Sequence, residues 1–497
     1  MKNLLKTDQK MLARRYEIAS DLRELVLDAT QIIDDKHCLR PYESDGLTAY
    51  QTLPMLVCLP SNVDELSSIL RYCHQNEIKV VARGAGTSLS GGAHPIEDGV
   101  IISLGKFNQI LDIDYDNQAV VVQSGVTNLA ITKAVQDRGF YYAPDPSSQI
   151  ACTIGGNVAE NAGGIHCLKY GLTTHNLLGL EVVLMNGEII RLGGKHLDSS
   201  GYDLMGVLTG SEGLLGVVSE VTVKILKKPV NTRAMLIGFD DEVTAGACVS
   251  QIIRSGIIPA AMEMMDNAAI RAISEYIDAG YPIDAAALII VEVDGLQSEV
   301  DEQIAQIDNI AVKHQAMFKK CSQNDEERQK FWDGRKAAFS ACGRLTPDYL
   351  VMDGTIPRKK LPEILKKIRT LSAHYDLRVV NVFHAGDGNL HPLILFDSQK
   401  QGELKKAEQF GGDILRLCVE VGGVLTGEHG VGIEKRDLMH EMFSAVDLSQ
   451  QQKVKCAFDP QQLLNPGKVF PTLHRCAEMG QLHVHRGRLP FPDLPRF

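Results

Sequence analysis

Three glycine-rich clusters constrain this 497-residue chain more than any other feature: RGAGTSLSGG (Arg83 to Gly92), TIGGNVAENAGG (Thr153 to Gly164) and GSEGLLG (Gly210 to Gly216). The chain has 44 glycines, about 9% against a usual ~7%, so the excess is small and its clustering is what matters. Successive residues without Cβ atoms let backbone N–H groups turn toward one anionic point. The first cluster begins where IKVVA (Ile78 to Ala82), a buried strand by its apolar run, comes to an end. Spacing excludes two familiar cradles. Gly84 and Gly86 are followed by Leu89 where a nicotinamide-dinucleotide fingerprint needs its third glycine, and no cluster carries the lysine pattern of a P-loop. Any one cluster is equally well explained by tight turns. Three of them, with Ser, Thr and Asn interleaved, predict a pyrophosphate cradle of another kind.

At roughly 100–200 residues per domain, the length predicts two to four domains. A net charge of −11 argues against holding nucleic acid by bulk charge, and 44% hydrophobic with 23% charged residues predicts sizeable cores. Eleven cysteines without a C-x-x-C predict a reduced intracellular protein lacking its own iron–sulfur cluster or zinc knuckle. Charge interrupts every apolar stretch of the N-terminus, so no signal or transit peptide is expected. The longest apolar run, Ala285 to Val291, is far short of the ~20 residues that span a bilayer. A cytoplasmic location without direct membrane insertion is expected, compatible with docking on a membrane-bound partner.

Apolar residues at helical spacing from Leu12 to Ile33 predict one N-terminal helix over 8–33, within a helical segment 1–50. A helix opened by Asn62 and strands at 78–82, 100–103, 119–123, 181–185, 188–191 and 217–225 make 51–230 a strand-rich unit, closed by Lys227-Lys228-Pro229. From 231 to 470 a strand–helix–helix–strand pattern recurs, which predicts an antiparallel sheet with helices on one face. The fold class is α+β. Residues 471–497, rich in Pro, His and Arg, read as an irregular tail.

In NVFHAGDGNLHPLILF, Asp387-Gly388 between two extended apolar runs predicts a two-residue hairpin loop. Gly386 then pairs with Asn389, and His384 with His391. Opposed residues share a face with Cβ atoms about 4.5–5.5 Å apart, so the imidazoles should converge. A lone histidine there is most simply a satisfied, half-buried side chain; an opposed pair needs donors, water or a metal. Arg335 in FWDGRKAAF sits on a helix beside Lys336, ordinarily a solvated position, but its guanidinium fork suits a carboxylate.

These motifs, together with PDPSS (Pro144 to Ser148), GSEGLLGVV, GDGNLH, GEHGVG (Gly427 to Gly432) and NPGK (Asn465 to Lys468), run in order along nearly the whole chain. They resemble the flavin-dependent oxidases and dehydrogenases of the vanillyl-alcohol oxidase type. YYAPDPSSQIACTIGGNVAENAGG, SGIIPAAMEMMDN and LHRCAEMGQLHVHRG are similar to the FAD subunits of bacterial glycolate oxidases. The resemblance implies a two-subdomain PCMH-type FAD-binding domain over 51–230. It also implies a C-terminal FAD-linked oxidase, or cap, domain over 231–470, whose last part returns to the flavin. Arg83, Gly84, Ala85, Gly86, Thr87, Ser88, Gly91, Pro144, Asp145, Ser148, Thr153, Gly155, Gly156, Asn161 and Gly164 would hold the pyrophosphate and adenine end of FAD. Val217 and Val218 would line it, and Asn465 would return to it.

The same resemblance makes His384, His391 and Glu428 ligands of a divalent metal; Zn, Mn and Fe(II) all suit imidazole with carboxylate. His429 would be the general base, its ordinary pKa of about 6.5 matched to taking a hydroxyl proton, and Arg335 the anchor of a carboxylate substrate. The implied activity is FAD-dependent oxidation of a small 2-hydroxyacid, glycolate to glyoxylate. The implied setting is a hetero-oligomer with an accessory FAD subunit and an iron–sulfur subunit, peripheral to the inner membrane through those partners. A D-lactate or D-2-hydroxyglutarate dehydrogenase is the alternative. Leu393 weighs against the larger acid, because some dicarboxylate-using relatives carry an amide just after the second metal histidine. A non-catalytic flavin relay would have no reason to keep His384, His391, Glu428 and His429 together.

Overall fold

The computed structural model describes residues 5–196 and 201–471. Its first sheet pairs Leu56–Cys58, Gly99–Ser103 and Lys79–Arg83 in parallel, with Ile32–Ile33 antiparallel at one edge. Gly99–Ser103 is buried throughout, as expected of a parallel strand covered on both faces. The helix Val63–Gln75 is capped by Asn62, whose Oδ1 accepts the Glu65 N–H at 2.9 Å, and it buries Leu66, Ile69, Leu70 and Cys73. A second, antiparallel sheet runs in the order Ile110–Asp114, Ala119–Gln123, Val217–Lys224, Leu177–Val183, Ile189–Gly193. Along Val217–Lys224 burial alternates residue by residue, the signature of a sheet with one buried face.

The single helix expected over 8–33 is instead broken into Gln9–Ala13, Arg15–Arg23 and a 3-10 turn Ala29–Gln31 leading into Ile32–Ile33. Asp28 keeps the chain from resuming the helix after Arg23. Its side chain accepts the Thr30 N–H at 2.9 Å while Gln31 Oε1 accepts the Asp28 N–H at 2.9 Å, a local network that competes with helix continuation.

The third sheet has seven strands, all antiparallel: Phe318–Cys321, Asn231–Phe239, Ala287–Gly295, Ala261–Asp266, Val379–Phe383, Pro392–Phe396 and Asp348–Val351. Helices cover both of its faces, not one. Glu242–Arg254, Gln297–Lys313, Leu361–Tyr375 and Glu403–Glu420 pack on the side of Ile237, Met264 and Val291. Asn267–Tyr276 and Asp325–Cys342 pack on the side of Leu236, Met265 and Ile290. The unbroken burial of Ala287 to Asp294 is the reason: a strand apolar on both parities needs cover on both sides.

The hairpin also differs from expectation. His384 bridges to Asn389, and Val380 pairs with Leu393, so the loop is the four residues Ala385 to Gly388, and the register is shifted by two from the one expected. Gly388, at φ +86°, donates its N–H to His384 O at 3.2 Å, and Asp387 Oδ1 accepts the Asn389 N–H at 3.0 Å. A shift of two preserves the face. His384 and His391 therefore still lie together, on the face shared with Val382 and Leu393.

Beyond this sheet the chain returns to the first one. Val80 N–H donates to Leu463 O at 2.8 Å and Asn465 N–H to Val80 O at 2.7 Å. The tail expected to be irregular lies, from residue 472 onward, outside the described residues. No described helix is long and apolar enough to cross a membrane.

Candidate active site

The glycine clusters and the second face of the seven-stranded sheet meet around one cavity of about 440 Å³. Arg83, Gly84, Ala85, Gly86, Thr87, Ser88, Ser148, Thr153, Gly155, Gly156, Val217 and Val218 all line it. Its walls are backbone brought close: a Cβ on Gly84 would lie 2.2 Å from Thr153 Oγ1, and one on Gly155 2.6 Å from Ser124 Cβ. The N–H groups of Gly84, Ala85, Gly86 and Thr87 find no acceptor among the described residues. Four consecutive free donors on a cavity wall fit a diphosphate.

The remaining residues expected at the flavin stand behind the wall. Asn128 Nδ2 donates to the Pro144 carbonyl at 3.0 Å, Gly164 lies against Asp145, and Gly91 against Ile433. Asn161, left-handed at φ +53°, ends the helix Ile154–Glu160 and accepts the Thr174 N–H at 3.0 Å. Asn465 Nδ2 donates to the carbonyls of Gly92 at 2.8 Å and Glu212 at 2.6 Å. Asp145 pairs with His166 Nδ1 at 2.8 Å, and His166 Nε2 meets Glu292 Oε1 at 3.2 Å, which ties this loop to the seven-stranded sheet. Burial would lower the His166 pKa, but the two carboxylates raise it to about 10.

At its other end the cavity is lined by Arg335, His384, His391, Glu428 and His429. Glu428 Oε1 lies 3.1 Å from His384 Nε2 and 2.9 Å from His391 Nε2. Those separations suit neighbouring positions around an ion with bonds of ~2.0–2.2 Å, and all three ligand atoms lie within 4.8 Å of one another. Burial opposes charge on His384 and on Glu428. The carboxylates of Glu263 and Glu428 nonetheless hold His384 well above its ordinary pKa, and the two imidazoles hold Glu428 well below its own. His429 stacks on His391 with ring centres 4.8 Å apart and its Nε2 4.0 Å from Glu428 Oε1. Burial pulls His429 down to about 4 against the pull of Asp353, below the value of about 6.5 expected to match it to a hydroxyl proton, so the imidazole is neutral at neutral pH but a weaker base than a free one.

Arg335 is not a solvated surface residue. It is 2% exposed on the helix Asp325–Cys342, and its Nε donates to Glu263 Oε2 at 2.7 Å. Its Nη2 is buried with no partner among the described residues. Phe339 and Tyr349 complete the wall nearby. Leu393, expected to bear on substrate size, is packed in the core of the second face.

Three buried charged residues that hold this cluster in place escape a reading of the sequence: Glu263, Asp353 and Lys435. Asp353, fully buried, accepts the N–H groups of Gly427 at 3.0 Å, Glu428 at 3.2 Å and His429 at 2.9 Å, and meets Lys435 Nζ at 3.3 Å. Burial would raise its pKa, but His429 and Lys435 lower it to about 2. The GEHGVG loop is thus wound around one carboxylate. The available signal was an acid inside an apolar stretch, MEM for Glu263 and VMDGT for Asp353.

Residues 54–193 match the family model described as "FAD binding domain", and 228–469 that of "FAD linked oxidases, C-terminal domain". The chain is 54% identical over 483 residues, 97% of each chain, to "Glycolate oxidase subunit GlcD" of Escherichia coli (strain K12). It is 32% identical over 474 residues, 93% of this chain and 98% of the other, to "D-lactate dehydrogenase" of Anaerostipes hadrus. The solved structure of p-cresol methylhydroxylase with substrate bound aligns at a TM-score of 0.80 over 93% of this chain and 97% of its own, at 17% identity, a likeness of fold alone.

Proposed function

The chain belongs to the FAD-linked oxidases, and from that premise we propose that it oxidises glycolate to glyoxylate, using Arg335, His429 and a divalent metal held by His384, His391 and Glu428. It is an FAD-dependent oxidoreductase. The observation that carries the proposal is the single cavity that joins the glycine cradle to the histidine cluster. When bound, FAD accepts the hydride that leaves the substrate's Cα, and a divalent ion on the triad polarises the hydroxyl.

The chain's own residues supply the rest. The N–H groups of Gly84 to Thr87 take the pyrophosphate oxygens. Arg335, with Nε engaged by Glu263, offers Nη2 to the substrate carboxylate. His429 Nε2 accepts the hydroxyl proton, and Asp353 keeps the loop that carries it in place. Phe339 and Tyr349 wall the cavity beside Arg335, which favours a small acid. The rival is D-lactate, the substrate named for the Anaerostipes relative. Electrons then pass to a partner: the Escherichia coli relative is named a subunit, and we assign this chain to a complex with an accessory FAD subunit and an iron–sulfur subunit, peripheral to the inner membrane.

Anaerobic addition of glycolate, D-lactate or D-2-hydroxyglutarate to the purified holoprotein tests this. Flavin absorbance should bleach fastest with glycolate. No bleaching by any of the three, with FAD and metal confirmed present, would overturn the proposal in favour of an electron relay; faster bleaching by D-lactate would reassign the substrate.

A further inference from the structure

We propose that Glu263 is a positioning residue that locks the carboxylate-binding and metal-binding halves of the site to one another. It rests on the functional reading above and adds a residue to it. Glu263 lies on the central strand Ala261–Asp266, whose partner register pairs Met264 with Phe383 and Met265 with Val382. Continuing that register sets Glu263 opposite His384. Gly386 N–H, donated to Met262 O at 3.0 Å, fastens the hairpin loop to the same strand. The carboxylate is fully buried and each oxygen has its own donor: Oε1 lies 2.6 Å from His384 Nδ1, and Oε2 2.7 Å from Arg335 Nε. A buried charge is tolerated only when so paired.

Two consequences follow from the donor arrangement. Holding Nδ1–H on Glu263 fixes the ring orientation of His384, so that Nε2 is the nitrogen turned toward Glu428 and left for an ion there, its proton leaving when the ion binds. Holding Arg335 by Nε fixes the guanidinium plane and leaves the terminal nitrogens, including the unpartnered Nη2, for a carboxylate. The grip on substrate is therefore end-on, through Nη1 and Nη2, and its distance from the metal position is set by a single side chain. An amide cannot replace it. Against two N–H donors, Gln offers one acceptor and one donor, so either two N–H groups face each other or His384 flips to the tautomer with a proton on Nε2.

The test uses full-length Glu263→Gln and Glu263→Asp holoflavoproteins, stripped of metal by chelator and titrated with Mn(II), alongside His384→Ala. Glu263→Gln should retain FAD, weaken Mn(II) binding about 10–100-fold, and raise the KM for glycolate even at saturating Mn(II). Glu263→Asp, which keeps the charge but not the reach, should fall between it and the parent. It decides the matter if the Gln variant fails to take up FAD. Mn(II) affinity within two-fold of the parent in the variants that fold would overturn the proposal. So would weakened Mn(II) binding with an unchanged KM at saturation, since Glu263 would then serve His384 alone. Parental Mn(II) affinity in His384→Ala would instead overturn the metal reading beneath it.

Discussion

His429 is the residue on which we propose the proton step turns, because it is neutral, buried and stacked on His391. Replacing it with Asn should lower kcat about 10²–10⁴-fold with little change in bound FAD, read by steady-state kinetics and the flavin spectrum. His384→Ala or His391→Ala should abolish turnover and leave the flavin in place; unchanged turnover in both would sink the metal assignment. The convergence of His384 and His391 was legible because the Asp387-Gly388 turn sets them on one face, with Gly388 left-handed at φ +86°; Glu428 and His429 came only with the family resemblance, in a loop that turns at Gly430, φ +80°. Glu263 was not legible. An acid in an apolar strand announces only that something must neutralise it, and its partner His384 lies 121 residues away, across a pairing that no local pattern specifies. Arg335 was half legible: its chemistry pointed to a carboxylate, but its burial depended on a second helix layer that the sequence pattern had assigned to one face only.

At the level of elements, the hairpin Val379–Phe383 to Pro392–Phe396 shows how an expectation can be right about a face and wrong about a turn. Asp387-Gly388 did signal the reversal, but the loop is four residues because Gly388 closes it by donating to His384 O. A Cβ on Gly388 would lie 2.2 Å from Ile356 O, whereas on Gly402, at nearly the same φ, it would meet nothing within 4 Å. Gly402→Ala should therefore cost only the left-handed backbone term of about 1–2 kcal/mol. Gly388→Ala should cost more in denaturant unfolding and also depress turnover, because the clash displaces His391. The loop holding His166 makes a second prediction. Its pKa is raised to about 10 by Asp145 and Glu292, so the stability it confers is complete below about pH 6.5, declines above it, and is lost as pH passes through about 10. The gap in Tm between the parent and His166→Gln should shrink over that range; a gap independent of pH would refute the charged pairing.

For the whole molecule, the division into a strand-rich first half and an antiparallel second half could be read from the sequence, but not the strands Leu56–Cys58 and Ile110–Asp114, which are too short to stand out, nor the way the chain closes. Asn465 joins the carbonyls of Gly92 and Glu212 in the wall that holds the cradle. Asn465→Ala should raise the Kd for FAD by about 5–30-fold, the loss of hydrogen bonding worth about 1–2 kcal/mol, measured by flavin titration of the apoprotein; an unchanged Kd would show that the returning segment does not support the cradle. The contact between Gly92 and Asn465 spans 373 residues. A ribosome adding about 5–20 residues per second takes on the order of 20–75 s to make that stretch. The nascent chain thus carries an unfinished cradle until Asn465 has been added, and durable capture of the cofactor belongs after that point.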